Sequence, residues 1–170
     1  MRMREDFPLP GIRVLELPRF VDDRGFFMEV WRSDWRDLLG EDTIVQANLS
    51  MTFPNVVRAW HRHVRGQVDY FFVVRGALKI CAYDDTADSP TRGQLVEIVA
   101  HGESPCLVRV PGHYWHGIRA LGPEPAWLIY FVTRLYDPAN PDEQRRPWND
   151  PQIRDPRTGA PYDWFRPPHR

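Results

Sequence analysis

Three side chains that exchange protons or bind metal ions lie within one short stretch of the sequence: His61, His63 and Asp69. His61 and His63 are two residues apart, so in an extended strand their side chains point to the same side. A further histidine, His116, belongs to a second polar cluster that begins at Pro111. Each cluster borders an apolar segment that is typical of a β-strand. The arrangement predicts a polar pocket within a β-structure, suited to acid–base or metal chemistry.

The composition limits the class of protein and its partners. A chain of 170 residues is expected to form one domain, residues 1–170, that buries a substantial core. The 17 prolines and 11 glycines favour short elements separated by turns over long helices. A net charge of −1 gives no indication of binding to nucleic acid or to an anionic membrane. Clusters of arginine remain suited to holding one anionic ligand.

The two cysteines and the N-terminus both bear on the compartment. Cys81 and Cys106 form no CxxC pair, and both lie in apolar segments typical of strands. They are therefore predicted to be buried free thiols in a reducing compartment. The N-terminal residues lack an apolar signal sequence, and no 18-residue apolar span occurs in the chain. The sequence predicts a cytoplasmic protein.

Short strands separated by turn residues make up most of the predicted structure. The exception is a helix over Ser33–Leu39, capped by Ser33 and ended by Gly40. No helix-length apolar period joins consecutive strands, which argues against a parallel α/β sheet. The predicted fold class is all-β, with N-terminal strands and the helix over residues 12–50, a barrel core over 51–136 and an irregular tail over 137–170. The predicted strands are Ile12–Leu17, Phe26–Trp31, Ile44–Ser50, Tyr70–Val74, Leu78–Tyr83, Leu95–Val99, Cys106–Val110 and Trp127–Thr133, and Trp148 and Trp164 are predicted to pin the tail.

Two of these strands carry polar groups whose role the pattern leaves open. In Ile44–Ser50, the side chains of Gln46, Asn48 and Ser50 share one face. Such a face favours exposure to solvent, and the alternative is the lining of a pocket. In the last strand, Tyr130 is either a core tyrosine bonded to backbone or a catalytic group.

An ordered set of motifs resembles the nucleotide-sugar epimerases of the cupin superfamily, typified by dTDP-4-dehydrorhamnose 3,5-epimerase. The motifs follow the family's order with similar spacing over roughly residues 12–151. The matching segments are Asp22-Asp23-Arg24-Gly25-Phe26-Phe27-x-Glu29, Gln46-x-Asn48-x-Ser50, Arg58-x-x-His61, Ser89-Pro90-Thr91-x-Gly93, Pro111-x-x-x-x-His116-Gly117, Tyr130, and Trp148-Asn149-Asp150-Pro151.

The resemblance implies a cupin-type jelly roll (double-stranded β-helix) that forms a homodimer through its N-terminal strands. It also implies a pocket for a nucleoside-diphosphate 4-keto-6-deoxyhexose, epimerised at C3, C5 or both. His61 matches the base that removes the proton next to the ketone, and Tyr130 matches the acid on the opposite face. This chemistry requires no cofactor. The positions matched to substrate binding are Arg24, Phe27 and Glu29 on the nucleotide side, Arg58 at a phosphate, and Gln46, Asn48 and His116 in the pocket lining.

Three positions depart from the family pattern. His63 stands where the family usually has a glutamine, and Asp69 stands where it has a lysine near the substrate ketone. The family's later Leu-Ser-x-Lys-Asp segment, whose aspartate partners the catalytic histidine, has no match in residues 151–170. Because an aspartate cannot donate a charged hydrogen bond to an enolate, the loss of the lysine weakens the assignment to ordinary 3,5-epimerases.

The same substitutions support two alternative hypotheses. His61, His63, Asp69 and His116 together resemble the metal-binding motif of other cupins, and such donors suit Fe, Ni, Zn, Co or Mn. The protein is then a metal-dependent sugar isomerase or another metal-dependent cupin enzyme. The second alternative is a non-catalytic cupin that binds a sugar.

Overall fold

The computed structural model describes residues 1–167, and strands dominate them. Among these residues, helical structure is limited to α1 (Arg36–Leu39). No helix in this part of the chain has the length and hydropathy needed to span a membrane. The strands are β1 (Arg2–Arg4), β2 (Arg13–Glu16), β3 (Phe20–Asp22), β4 (Gly25–Phe27), β5 (Gln46–Thr52), β6 (Val57–His63), β7 (Val68–Arg75), β8 (Ala77–Tyr83), β9 (Leu95–His101), β10 (Cys106–Pro111), β11 (Trp115–Leu121), β12 (Ala126–Val132) and β13 (Glu143–Arg145).

Two antiparallel sheets form the body of the molecule. One has six strands in the order β1-β2-β10-β7-β12-β5, and the other has five in the order β13-β6-β11-β8-β9. β3 and β4 form a separate hairpin. Because strands adjacent in a sheet are often distant in sequence, the topology is that of a jelly roll rather than a simple meander. The prediction of an all-β jelly roll is confirmed.

The space between the two sheets is filled at one end and open at the other. Alternate side chains of β8, β9 and β10, including Ile80, Ile98 and Val108, are almost fully buried there. Ile118 on β11 and Leu128 on β12 complete the apolar filling. Towards the other end of the same two strands stand the polar residues His116 and Tyr130. The apolar core thus supports the base of a polar cavity.

Each sheet is also covered on its outer face. Helix α1 and the preceding Trp35 pack Leu38 and Leu39 against Tyr70 and Phe72 on the outside of the six-stranded sheet. The C-terminal tail covers the five-stranded sheet with Ile153, Tyr162 and Trp164, which contact Trp60 and Trp115. These two coverings leave the sheets with little freedom to slide, because both faces of their central strands are buried.

The N-terminal elements are shorter than the sequence predicts. The helix begins at Arg36 rather than at Ser33, and no side chain caps it, so the predicted Ser33 cap is wrong. Residues 33–34 form a turn instead, in which the Arg32 guanidinium binds Asp34. Gly40 ends the helix as expected, donating its N–H to the carbonyl of Arg36. The predicted strand Phe26–Trp31 is reduced to the hairpin strand β4.

The tail contains a strand that the sequence analysis missed. β13 pairs with β6, placing Glu143 opposite His63 and Arg145 opposite His61. We call residues 137–150 the strap, because this segment crosses the open end of the cavity. Beyond it, Trp164 is fully buried and pins the tail, as predicted. Trp148 remains 46% exposed, and its carbonyl accepts a hydrogen bond from the Trp60 indole.

Candidate active site

A cavity of about 820 Å³ opens between the two sheets and contains most of the predicted site residues. This volume is in the usual range for a pocket that binds a small molecule. The five-stranded sheet contributes His61 and His63, and the six-stranded sheet contributes Asp69 and Tyr130. The strap closes one side with groups that include Asn140, Asp142, Glu143 and Arg145.

Strand alternation explains which side chains enter the cavity. His61 and His63 point inward from β6, while Trp60 between Ala59 and His61 points outward into the aromatic cluster under the tail. On β12, Tyr130 lines the cavity, and its neighbour Phe131 packs on the outer face. The two-residue spacing of the histidines therefore predicted their common direction correctly.

The polar face of β5 lines the cavity rather than facing solvent. Gln46, Asn48 and Ser50 all belong to the cavity wall, and β5 lies beside β12 with Asn48 opposite Tyr130. The Gln46 amide donates to the Asn48 side-chain oxygen at 2.8 Å. The preference for solvent was wrong because a strand's polar face is ambiguous until its partner sheet is known.

Asp69 lies at the centre of the histidine cluster. Its Oδ2 is 2.9 Å from His116 Nε2 and 3.4 Å from His63 Nε2. The ring of His61 contacts that of His116, with centroids 4.2 Å apart. One nitrogen or oxygen of each of the four residues lies within 4.8 Å of the others. The structure thus brings together all four predicted metal ligands, in a donor set of three imidazoles and one carboxylate.

The cluster is held by a second layer of polar groups. His116 Nδ1 is 2.8 Å from the carbonyl of Tyr114, and the Gln67 amide donates to Asp69 Oδ1 at 2.8 Å. The other side of His63 faces the strap, where its Nδ1 is 3.8 Å from Asp142 Oδ2. Within the described residues, both of these atoms are buried and have no hydrogen-bond partner. Asp142 had not been identified from the sequence.

Burial and charge shift the proton affinities of these groups in opposite directions. Burial lowers the pKa of His61 well below its ordinary value, and the neighbouring His116 lowers it further. Burial raises the pKa of Tyr130, and the charge of Asp69 raises it further. Burial alone would raise the pKa of Asp69, but hydrogen bonds from His116 and His63 outweigh it and hold that pKa below its ordinary value. At neutral pH the site therefore has an unprotonated His61, a protonated Tyr130 and an ionised Asp69.

The predicted substrate-binding residues divide into two groups. Arg58 lines the cavity together with Gln46 and Asn48, whereas His116, also predicted to line it, is fully buried and is not among the lining residues. Arg24, Phe27 and Glu29 do not line it within this chain. The β3–β4 hairpin carries Arg24 and Phe27 into solvent, and Glu29, which follows the hairpin, pairs with Arg32. Arg24 instead pairs with Asp22 and has a side chain that is 86% exposed. Their predicted contact with a nucleotide stays a prediction.

Several cationic residues at the cavity had not been identified from the sequence. Arg65 follows β6, and Arg134 and Arg145 lie in or near the strap. The sequence shows arginines both in the stretch that contains the histidines and in the tail, but it does not indicate which of them point into the cavity. Arg65 and Arg145 are paired there with Asp142 and Glu143, whereas Arg58 and Arg134 have no carboxylate partner within the described residues.

Comparisons with known proteins agree with this architecture. The family model described as dTDP-4-dehydrorhamnose 3,5-epimerase matches residues 6–156. A probable low-salt glycan biosynthesis epimerase, Agl13, from Haloferax volcanii is 44% identical over 138 residues, which cover 81% of this chain and 87% of the relative. The spore coat polysaccharide biosynthesis protein SpsL of Bacillus subtilis is 38% identical over 145 residues, covering 85% and 93%.

A solved structure extends the likeness to the fold. It is a dTDP-6-deoxy-D-glucose-3,5-epimerase from Legionella pneumophila in complex with dTDP-4-keto-L-rhamnose. It is 29% identical to this chain, with a TM-score of 0.79 over 89% of this chain and 81% of that one.

Proposed function

The chain belongs to the dTDP-4-dehydrorhamnose 3,5-epimerase family, and we propose that it epimerises a nucleoside-diphosphate 4-keto-6-deoxyhexose at C3, C5 or both. The observation that carries the proposal is the placement of His61 and Tyr130. They come from different sheets, β6 and β12, and line the same cavity. A sugar ring between them has a proton acceptor on one side and a proton donor on the other.

The protonation states support these two roles. His61 has a lowered pKa and so keeps a free lone pair with which to remove a proton from the carbon next to the ketone. Tyr130 has a raised pKa and keeps the proton that it returns to the opposite face. The intermediate is an enolate, whose charge spreads onto the ketone oxygen. Each positioned group contributes about 10²- to 10⁴-fold in rate, and the proton transfers themselves require no cofactor.

The open side of the cavity suits the diphosphate of the substrate. Arg58 and Arg134 line the cavity without a carboxylate partner in the described residues, while Arg65 and Arg145 are paired with Asp142 and Glu143. Guanidinium groups bind phosphate oxygens in pairs of hydrogen bonds, so the two unpaired arginines are the ones suited to the diphosphate. Gln46 and Asn48 also line the cavity, and their side-chain amides are groups that can exchange hydrogen bonds with sugar hydroxyls. A nucleotide sugar is therefore favoured over a free sugar.

We further propose that the protein acts as a homodimer through its N-terminal strands. The β3–β4 hairpin exposes Phe20, Phe26 and Phe27, each by more than half of its surface. The edge strand β5 is followed by Phe53, which is 64% exposed, and carries Leu49, which is 63% exposed. A second subunit that covers these groups removes apolar surface from water and brings Arg24 and Glu29 near a cavity. Sedimentation of the full chain in the analytical ultracentrifuge measures the oligomeric state directly.

Solvent exchange tests the assigned roles. The protein, freed of metals by a chelator, is incubated in D₂O with a dTDP-4-keto-6-deoxyhexose, and NMR follows deuterium uptake and inversion at C3 and C5. We expect His61→Asn to lose both deuterium uptake and inversion, because no other assigned group removes the proton. Tyr130→Phe is expected to lose inversion by at least about 100-fold while retaining some deuterium uptake from the side of His61.

The exposed His101 provides the matched control, since His101→Asn removes an imidazole outside the cavity. It is expected to behave as the unmodified protein. Inversion by Tyr130→Phe at an undiminished rate would exclude Tyr130 as the acid. Uptake that survives in His61→Asn would assign the base elsewhere.

A further inference from the structure

We propose that His63, Asp69 and His116 form a binding site for a divalent transition-metal ion, beside which His61 remains free to act as the base. The binding of the ion does not depend on the proposed reaction. Only its use, stabilisation of charge on the ketone oxygen, rests on the proposed function.

The three donor atoms already lie near the separations that one ion imposes. Asp69 Oδ2 is 2.9 Å from His116 Nε2 and 3.4 Å from His63 Nε2. Metal–ligand distances of about 2.0–2.2 Å place neighbouring donors roughly 3 Å apart. All three residues are buried, with His116 fully so and Asp69 2% exposed. The ligand atoms of the three residues all lie within 4.8 Å of one another, so the two histidines need to close on Asp69 only slightly to share an ion.

Two of the three ligands, His116 and Asp69, also have an outer hydrogen-bond partner of the kind found around metal sites. The carbonyl of Tyr114 faces His116 Nδ1 at 2.8 Å, which directs Nε2 towards Asp69. The Gln67 amide fixes the other oxygen of Asp69 at 2.8 Å. Metal-bound histidines almost always donate their second N–H to a carbonyl or carboxylate, and bound carboxylates are hydrogen-bonded in turn.

The outer partner of His63 comes from the strap. An ion at His63 Nε2 leaves the ring proton on Nδ1, and the nearest carboxylate oxygen there is Asp142 Oδ2, at 3.8 Å. Both atoms are buried without a hydrogen-bond partner in the described residues. At 3.8 Å the hydrogen bond between them is not formed, and a small movement of the strap would form it. The Gln67 amide nitrogen lies 3.1 Å from the same Nε2, so an ion bound there displaces that contact and leaves the amide its hydrogen bond to Asp69 Oδ1.

His61 differs from the other two histidines in this respect. Its ring contacts those of His116 and His63, with centroids 4.2 Å and 6.0 Å away. Within the described residues no hydrogen bond orients its nitrogens, whereas both nitrogens of His116 face oxygen atoms. A residue without an outer partner is a poor member of a fixed ligand set, and it is suited to accept a proton from substrate.

The donor set selects the class of ion. Two imidazoles and one carboxylate suit Fe, Co, Ni, Zn or Mn, whereas Mg²⁺ and Ca²⁺ prefer oxygen ligands alone. Three protein ligands leave coordination positions open for substrate. A bound ion supplies a positive charge to the ketone oxygen, in a cavity where Asp69 replaces the lysine expected from the family pattern.

Cobalt binding tests the site without any enzymatic readout. Untagged protein, stripped with a chelator and dialysed, is titrated with CoCl₂ while the visible absorption of Co²⁺ and the bound metal are measured. We expect one ion per chain, with the absorption spectrum of a nitrogen–oxygen site. Asp69→Asn and His63→Gln should abolish binding, and Asp142→Asn should weaken it by about 10- to 100-fold.

His101→Asn is the control in the same titration, and the design of Asp142→Asn limits what that substitution changes. His101→Asn removes a remote exposed histidine and should bind Co²⁺ as the unmodified protein does. Asp142→Asn keeps a side-chain oxygen for the backbone N–H groups of Val64 and Arg65, so it tests the charge rather than the loop. Thermal unfolding of each stripped variant separates lost binding from lost folding.

Two results would overturn the proposal. Absence of stoichiometric Co²⁺ binding in the folded, unmodified protein would exclude the site. Loss of binding in His61→Asn as large as in His63→Gln would make His61 a ligand and end its role as a free base. Neither result depends on substrate, so failure here is distinct from failure of deuterium exchange by the metal-free protein.

Discussion

Asp69 is the residue around which the charges of the cavity are arranged. Its carboxylate is 2% exposed and interacts with His63, Gln67 and His116. A buried carboxylate is tolerated only when its oxygens are paired, and here both are. Asp69, which stands where the family resemblance predicts a lysine, is thus the centre of a buried hydrogen-bond network.

Restoring the lysine is expected to damage the protein rather than to recover the family pattern. Asp69→Lys places a cation against His116 and His63 and leaves both without their carboxylate. Breaking a buried charge network in this way costs about 3–5 kcal/mol. Urea unfolding of the two proteins measures the difference. A variant as stable as the original would show that the network contributes no stability.

Among the individual site residues, the sequence correctly predicted those that share one strand or one motif. His61 and His63 converge because strand alternation is a local rule, and Asp69 and His116 were found from their motifs. Asp142 was missed because its contact with His63 depends on a tail that returns across the cavity. Nothing in the local sequence fixes where such a segment lands.

Among the elements, the strap controls access to the cavity. Arg146 attaches it: its guanidinium lies 4.3 Å from the Trp115 ring centroid and donates to Asp85 Oδ2 at 2.6 Å. Its backbone exchanges hydrogen bonds with Trp60 in both directions. Arg146 is also one of the residues that line the cavity, so these contacts fix the strap at the edge of the site.

Removal of this attachment is expected to loosen the strap and leave the sheets intact. In Arg146→Ala the stacking on Trp115 and the pairing with Asp85 are lost, while the β13–β6 pairing persists. Hydrogen exchange should rise in residues 137–150 and stay unchanged in β7 and β12. We also expect KM to rise more than kcat falls, since the catalytic pair is not on the strap.

A matched variant on the same segment is Glu143→Ala, whose side chain pairs with Arg145 outside the Trp115 contact. It should leave the exchange of residues 137–150 nearly unchanged. Equal loosening in both variants would mean that the strap is held by its strand pairing and not by Arg146.

Elements were predicted incompletely from apolar patterns: β6 and β11 were not among the predicted strands, although most residues of β11 are buried. The strands of the core, such as β8 and β10, lie where the sequence placed them. β13 was missed because its Glu-Gln-Arg sequence has no apolar face, and it forms only by pairing with β6. The Ser33 cap failed because the ion pair of Arg32 with Asp34 favours a turn there.

At the scale of the whole molecule, the tail is part of the core. Trp164 and Ile153 are fully buried against the outer face of the five-stranded sheet, and the Trp164 ring lies 4.8 Å from that of Trp60. Because Trp60 directly precedes His61 on β6, the aromatic cluster supports the strand that carries the base. Packing of the tail therefore helps to fix the position of His61 in the cavity.

Trp164→Ala is therefore expected to destabilise the protein by about 3–5 kcal/mol through the cavity that it leaves. The neighbouring Phe165 is 47% exposed, so Phe165→Ala should change stability by no more than about 1 kcal/mol. Urea unfolding of both variants makes the comparison. A similar, small loss of unfolding free energy in both variants would show that packing of the tail does not stabilise the protein.

The two native cysteines are buried and are not expected to react with thiol reagents at neutral pH. Cys81 is fully buried and Cys106 is 8% exposed, and burial raises the pKa of Cys81 to about 12. Burial also raises the pKa of Cys106, so neither presents a thiolate to maleimide reagents at neutral pH. A cysteine introduced at an exposed position such as Asn140 would then be labelled alone. Fluorescent dyes on that single position would follow opening of the strap in individual molecules, with no native residue to be removed first.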